Sequence, residues 1–197
     1  LGAVPGKSLD DRTLLITGAA GGVGSILIQL ARRLTGLTVL ATANRPESRD
    51  WCLKLGAHAV IDHGKPMKEQ IDALKLPPVS LVASLTGTEQ HYKALADLIA
   101  PQGKLGLIDD PVEFNISAFK GKAVSVHWES MFTRSSFQTA DMEAQHRLLN
   151  EVSRLVDSGT IRTTVAENLG TINAAHLREA HSLIESGRTR GKIVLTG

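Results

Sequence analysis

Short apolar runs alternate with amphipathic stretches along most of the chain. The first run, Leu14-Leu15-Ile16, lies in a β-prone segment, Thr13–Thr17, and leads into a dense glycine turn. Apolar positions then recur at helical spacing at Ile26, Leu27, Leu30, Ala31 and Leu34, which predicts a helix over about 22–34 closed by Gly36. Thr38–Ala43 is rich in β-formers and predicts a second strand. Pro46 fits the first turn of a helix that runs to about Leu55 and ends at Gly56.

The alternation continues. His58–Asp62 predicts a third strand and Pro66–Leu74 a helix stopped by Pro77-Pro78. Val79–Leu85 is nearly all apolar, as expected of a strand covered on both faces. Thr88 is placed to cap a helix over Glu89–Leu98. Lys104–Ile108 and Ala123–Trp128 predict strands five and six, and Thr139–Asp157 a long helix. Strands alternating with helices predict an α/β fold with a doubly wound, parallel six-stranded Rossmann sheet, helices on both faces, and strand order 3-2-1-4-5-6.

Residues 1–12 read as a linker, and the tail reads differently from the rest. Thr163–Asn168 predicts a strand, Asn173–Ser186 a helix capped near Gly187, and Lys192–Leu195 a last strand. None of these is needed to complete the sheet. The expected division is therefore a Rossmann domain over 1–158 and a strand-helix-strand return segment over 159–197.

Composition narrows the classes of partner. The 197 residues carry a net charge of +2 with no basic run longer than a pair, so neither nucleic acid nor a polybasic membrane contact is expected. The one cysteine, Cys52, cannot form an internal disulfide or a cysteine-rich zinc site, which points to a reducing, cytoplasmic setting. No apolar run approaches the roughly 20 residues of a membrane span. The opening Leu1, where a complete translation product carries Met, is expected of a processed protein or of one part of a longer one.

The glycine turn carries the first chemistry. Ala19-x-Gly21-x-x-Gly24 departs from Gly-x-Gly-x-x-Gly by alanine in the first slot. It follows a strand, opens a helix and sits in a unit of about 30 residues closed by strand two, the context of a dinucleotide-binding turn. Backbone amides there approach the pyrophosphate, and the helix N-terminus adds a favourable dipole. A tight turn without a ligand is the bland alternative. No Lys-Ser/Thr pair follows the glycines, which excludes a P-loop.

At the end of strand two, NAD enzymes place an acid on the ribose 2′-OH. Here the sequence is Thr42-Ala43-Asn44-Arg45-Pro46-Glu47. A guanidinium beside the ribose favours a 2′-phosphate by about 1.5–3 kcal/mol, hence NADP(H) over NAD(H). The alternative leaves Arg45 in solvent and Glu47 on the ribose. A short-chain dehydrogenase would need Tyr-x-x-x-Lys, but the only tyrosine, Tyr92, is followed four residues later by Ala96. The seven histidines are scattered, and His176 and His181 do not share a helical face, so no metal site is expected in this chain. Asp109-Asp110, at the carboxyl end of strand five, suit a ligand contact and a strand-breaking turn equally.

Several segments together resemble the cofactor-binding half of the medium-chain dehydrogenase/reductase superfamily. They are Ala20-Gly21-Gly22-Val23-Gly24 with Gln29, Leu55-Gly56-Ala57-His58, and Leu98-x-x-Pro101-x-Gly103-Lys104. Further segments resemble its zinc-type alcohol dehydrogenase-like, quinone oxidoreductase-related branch. These are Ala43 to Glu47, Ser84 to Thr88, Leu107 to Pro111, His127 to Arg134, and Gly187 to Leu195.

The resemblance implies roles at matching positions. Ala20, Gly21, Gly22, Val23 and Gly24 hold the pyrophosphate. Asn44 and Arg45 face the 2′-phosphate, with His63 on the adenine side. Leu85, Thr86 and Gly87 contact the ribose nearer the nicotinamide. Ile108 and Asp109 lie beside the nicotinamide, largely through backbone, and Met131 and Phe132 border the substrate cleft. No catalytic residue is assigned.

Family members begin with a GroES-like catalytic domain that has no counterpart here, so most of the substrate pocket, and zinc ligands where they occur, are expected outside this chain. The resemblance thus implies the NADP(H)-binding part of an oxidoreductase that reduces small-molecule quinones or activated carbonyls and enones. The chain alone is expected to bind cofactor with little turnover and to pair as a homodimer through the strand-six edge. A zinc-dependent alcohol dehydrogenase domain and a non-catalytic NADP(H)-responsive module are the alternatives.

Overall fold

The computed structural model describes residues 11–197. The linker expected over 1–12 lies outside the described residues except for Asp11 and Arg12.

Strands β1 (Thr13–Thr17), β2 (Thr38–Thr42), β3 (Ala59–Ile61), β4 (Val79–Ser84), β5 (Lys104–Leu107) and β6 (Ser125–Trp128) form one parallel sheet in the order β3-β2-β1-β4-β5-β6. Helices α1 (Gly22–Leu34), α2 (Pro46–Leu55), α3 (Met67–Leu74) and α4 (Thr88–Leu98) connect them. This is the predicted Rossmann architecture. The two faces of the sheet are legible residue by residue, because strand side chains alternate sides. Leu14, Ile16, Val39 and Ala41 pack with Ile28, Cys52 and Leu55 of α1 and α2. Leu15, Leu40, Val82, Leu105 and Leu107 pack with Met67, Leu95 and Ile99 on the α3 and α4 side. All five residues of β1 are buried, as the central strand of a sheet covered twice must be.

Several boundaries differ from expectation; β6 starts at Ser125 rather than Ala123, and β7 spans Val165–Thr171 rather than Thr163–Asn168. Helix α1 is not closed by Gly36; Thr35 is its C-cap in extended conformation. The Thr35 hydroxyl donates to the Ala31 carbonyl and accepts from the Leu37 amide, so a side chain ends the helix without left-handed backbone. Thr88 is not a cap but the first residue of α4, behind a left-handed Gly87. The long helix expected from Thr139 starts only at Glu143, as α6 (Glu143–Asp157), and a short helix α5 (Thr133–Ser136) that was not expected precedes it. Thr139 instead bonds Asp141, which also pairs with Arg134. Between β5 and β6 lies an unforeseen 3-10 segment, Ile116–Lys122, whose Phe119 plugs the α4-side core.

The tail forms its own unit. Strands β7 (Val165–Thr171) and β8 (Lys192–Thr196) pair in parallel across helix α7 (Ala174–Glu185). The segments leading into β7 and β8 are tied to α1 or the turn before it. The buried Gln29 side chain receives the Arg162 amide at 2.9 Å and donates to the Arg162 carbonyl at 3.1 Å. The Gly191 amide donates to the Ala20 carbonyl at 2.8 Å. Trp51 donates to Ser25 Oγ at 2.8 Å beneath the same turn.

Candidate active site: the carboxyl edge of the sheet

Ligands of open α/β sheets bind beyond the carboxyl ends of the strands, where the strand order reverses. In this sheet that point is between β1 and β4. The glycine turn stands there. The Gly21 amide donates to the Gly18 carbonyl at 3.1 Å, and Gly21 becomes the N-cap of α1. No side chain caps the helix and its first turn holds no acid. The first-turn amides have no intrahelical acceptor and, together with the positive end of the helix dipole, suit an anion.

The glycine at 24 is required by backbone, and the glycine at 22 stands against a side chain from the tail. A Cβ at Gly24 would stand 2.5 Å from Ala19 Cα, so only glycine lets the helix approach the turn so closely. A Cβ at Gly22 would stand 2.6 Å from Lys192 Cδ and 3.5 Å from its Nζ. The tail thus lays a lysine against the N-terminus of α1. Among the described residues no carboxylate pairs with it. Lys192 was read from sequence only as the start of a strand. Nothing in its local pattern reveals the contact, because the contact is made by the fold.

Asn44 and Arg45 follow β2, and Arg45 is the N-cap of α2. The Arg45 guanidinium donates to Ser48 Oγ at 3.2 Å and to the Arg188 carbonyl at 2.8 Å. Glu47 lies exposed in the first turn of α2. His63 follows β3; its Nδ1 is buried and has no partner among the described residues. Its ring stands edge-on to His91 of α4, with centroids 5.6 Å apart. Burial, and then the nearby His63, hold the His91 imidazole below its ordinary range. His91 was not singled out from sequence.

On the other side of β1, Leu85, Thr86 and Gly87 close β4, and Ile108 and Asp109 close β5. The Asp109 carboxylate accepts the Thr88 amide at 2.9 Å and the Thr88 hydroxyl. Asp109 therefore caps α4 from the loop after β5, and its side chain is occupied there. Met131 and Phe132 lie beyond β6, 70% and 66% exposed. A cavity of about 240 Å³ beside them is lined by their neighbours, including Trp128, Ser130, Thr133 and Arg134. The structure thus brings the turn residues, Arg45, His63, the two loops after β4 and β5, and Lys192 to one edge. A second cavity, of about 510 Å³, is lined by Arg32, Arg33, Lys54 and Arg162 and includes none of the residues expected at the site.

Residues 55–195 match the family model for zinc-binding dehydrogenases. The chain belongs to the zinc-binding dehydrogenase family. A zinc-type alcohol dehydrogenase-like protein of Staphylococcus aureus is 34% identical over 190 residues, covering 94% of this chain and 56% of that protein. A crystal structure from Rhizobium etli, provisionally described as a zinc-dependent alcohol dehydrogenase, is 55% identical with a TM-score of 0.91, over 99% of this chain and 56% of the other. A mycobacterial protein crystallised with NADPH has a TM-score of 0.75 at 25% identity, over 94% of this chain and 56% of that one. The chain therefore spans little more than half the length of these dehydrogenase relatives.

Among the described residues no group of three or more His, Cys, Asp or Glu side chains could hold a metal ion. Among the same residues no helix is long and apolar enough to cross a membrane.

Proposed function

We propose that this chain is the NADP(H)-binding part of an oxidoreductase that reduces quinones or activated carbonyls and enones. The observation that carries the cofactor reading is the uncapped N-terminus of α1 with Lys192 laid against Gly22. A cation beside the positive end of a helix is unfavourable unless an anion lies against both. The diphosphate of a dinucleotide supplies that anion, held by Ala20 to Gly24 and by Lys192. Asn44 and Arg45 take the 2′-phosphate. The orphaned Nδ1 of His63 gives the adenine side a polar contact.

Leu85, Thr86 and Gly87 hold the ribose nearer the nicotinamide, with Ile108 and Asp109 beside the ring. When bound, the cofactor supplies the hydride; the protein orients it and excludes water. Met131, Phe132 and Trp128 offer an exposed apolar border to the acceptor. With this border open, the chain alone binds cofactor and turns over little. The largely exposed β6 edge is the proposed homodimer contact, which sedimentation across concentrations tests; a strictly monomeric mass counts against it.

The substrate class rests on the family resemblance, and the cofactor preference on Arg45. Titration of the chain with NADPH and NADH, followed by cofactor fluorescence, tests the cofactor reading. NADPH is expected to bind about tenfold or more tightly than NADH. Equal affinities overturn the preference, and binding of neither overturns the assignment.

A further inference from the structure

Three hydroxyl side chains are buried at the carboxyl edge of the sheet, where a core strand would ordinarily end in apolar residues. Thr17 ends β1, Ser84 ends β4 and Thr88 opens α4; they are 1%, 0% and 0% exposed. Buried hydroxyls without partners are costly, so their bonds must be accounted for. Thr88 Oγ1 donates to Asp109 Oδ1, because a carboxylate only accepts. Thr88 Oγ1 therefore accepts from Ser84 Oγ, 2.6 Å away. Thr17 Oγ1 accepts the Leu85 amide at 3.2 Å. Its own proton goes to the Thr86 carbonyl at 3.3 Å or to Ser84 Oγ at 3.4 Å.

Every link crosses between elements, and the terminal carboxylate fixes the direction from Ser84 through Thr88 to Asp109. It joins the ends of β1, β4 and β5 and the start of α4. The Ile108 amide adds a bond to the Ser84 carbonyl at 3.3 Å. The two segments clamped together are Leu85–Gly87 and Ile108–Asp109. In a doubly wound sheet the β4–β6 half serves the second mononucleotide, the half away from the adenosine.

We propose that the Thr17–Ser84–Thr88–Asp109 relay sets the spacing of these two loops for the nicotinamide ribose, making Thr88 and Asp109 positioning residues for the nicotinamide half of the cofactor. This rests on the NADP(H) reading above. Asp109 acts through Thr88, since its carboxylate is already engaged there, and presents only backbone to the ligand.

The test compares two ligands on the 197-residue chain. NADPH spans both halves of the site, whereas adenosine 2′,5′-bisphosphate occupies only the adenosine half. Thr88→Val, which keeps the volume and the amide but removes the hydroxyl, is expected to weaken NADPH about tenfold and to leave the bisphosphate within about twofold. Thr88→Ser is expected to restore NADPH affinity. Asp109→Asn, which keeps the size and removes the charge, carries the same expectation if Thr88→Val does not fold. Equal losses for both ligands mean a merely structural role and overturn the inference, as does unchanged NADPH affinity. If the unaltered chain binds the bisphosphate and NADPH but Thr88→Val and Asp109→Asn are silent, the relay fails and the cofactor reading stands. If the unaltered chain binds neither ligand, the cofactor reading falls and the relay with it.

Discussion

The Arg45 guanidinium donates to the backbone carbonyl of Arg188 at 2.8 Å. The side chain proposed for the 2′-phosphate thus also holds the tail loop, residues 187–191, against α2. Arg45→Ala is expected to weaken NADPH about tenfold to a hundredfold and to change NADH by less than about threefold. Parallel titrations measure this. Equal losses for the two cofactors would assign Arg45 to the loop alone.

Lys192 should behave differently, because the diphosphate is common to both cofactors. Lys192→Met is expected to weaken NADPH and NADH alike, by about tenfold, and to flatten the dependence of binding on salt. Isothermal titration at two ionic strengths checks this. A loss confined to NADPH would move Lys192 to the 2′-phosphate.

Cys52 is fully buried against α1 and β2, and burial pushes its thiol up to about 11 from an ordinary value near 9.0. Between those two values the unfolded thiol has lost its proton while the folded one keeps it. Stability therefore falls as pH rises through this window, by roughly 1.4 kcal/mol per pH unit from this group. Denaturant melts from pH 8 to 11 should show a shallower decline for Cys52→Ala than for the unaltered chain. Parallel declines would mean that the thiol contributes nothing.

His91 works in the opposite sense. Its folded value lies below the ordinary one near 6.5, so the unfolded chain binds the extra proton first. The stability it contributes is present above that value and is lost as pH falls below it. Since part of the depression comes from His63, His63→Gln should raise the His91 titration midpoint, read by NMR of the imidazole protons. An unmoved midpoint would leave burial as the whole cause.

Much of the sheet was legible because its strands are buried on both faces. Leu14, Leu15 and Ile16 must each find apolar neighbours, so the run is unbroken whichever face each serves. The glycine turn was legible because its constraints are local: strand, turn and helix are consecutive. The helix end near Thr35 misled, since a glycine stands next to the threonine whose hydroxyl closes the helix. Thr88 misled for a related reason. Its local pattern is that of a cap, but the carboxylate that caps α4 arrives from Asp109, beyond a helix and a strand.

Lys192 and Gln29 show the other limit. Gln29 follows the glycine turn in a helical pattern and offers no local sign that it grips Arg162 from the far end of the chain. Such contacts depend on how the tail returns, which periodicity does not encode.

The nearness of Lys192 to Gly22 has a consequence for how this fold can diverge. The small residue at 22 leaves a path for an arm from the other end of the chain. A relative with alanine at position 22 has no room for that arm along its present path. It should carry a shorter side chain at 192, or one that leaves along a different course. An alanine at position 22 is therefore expected to turn the Lys192 side chain away from the N-terminus of α1, although almost the whole sequence separates the two residues.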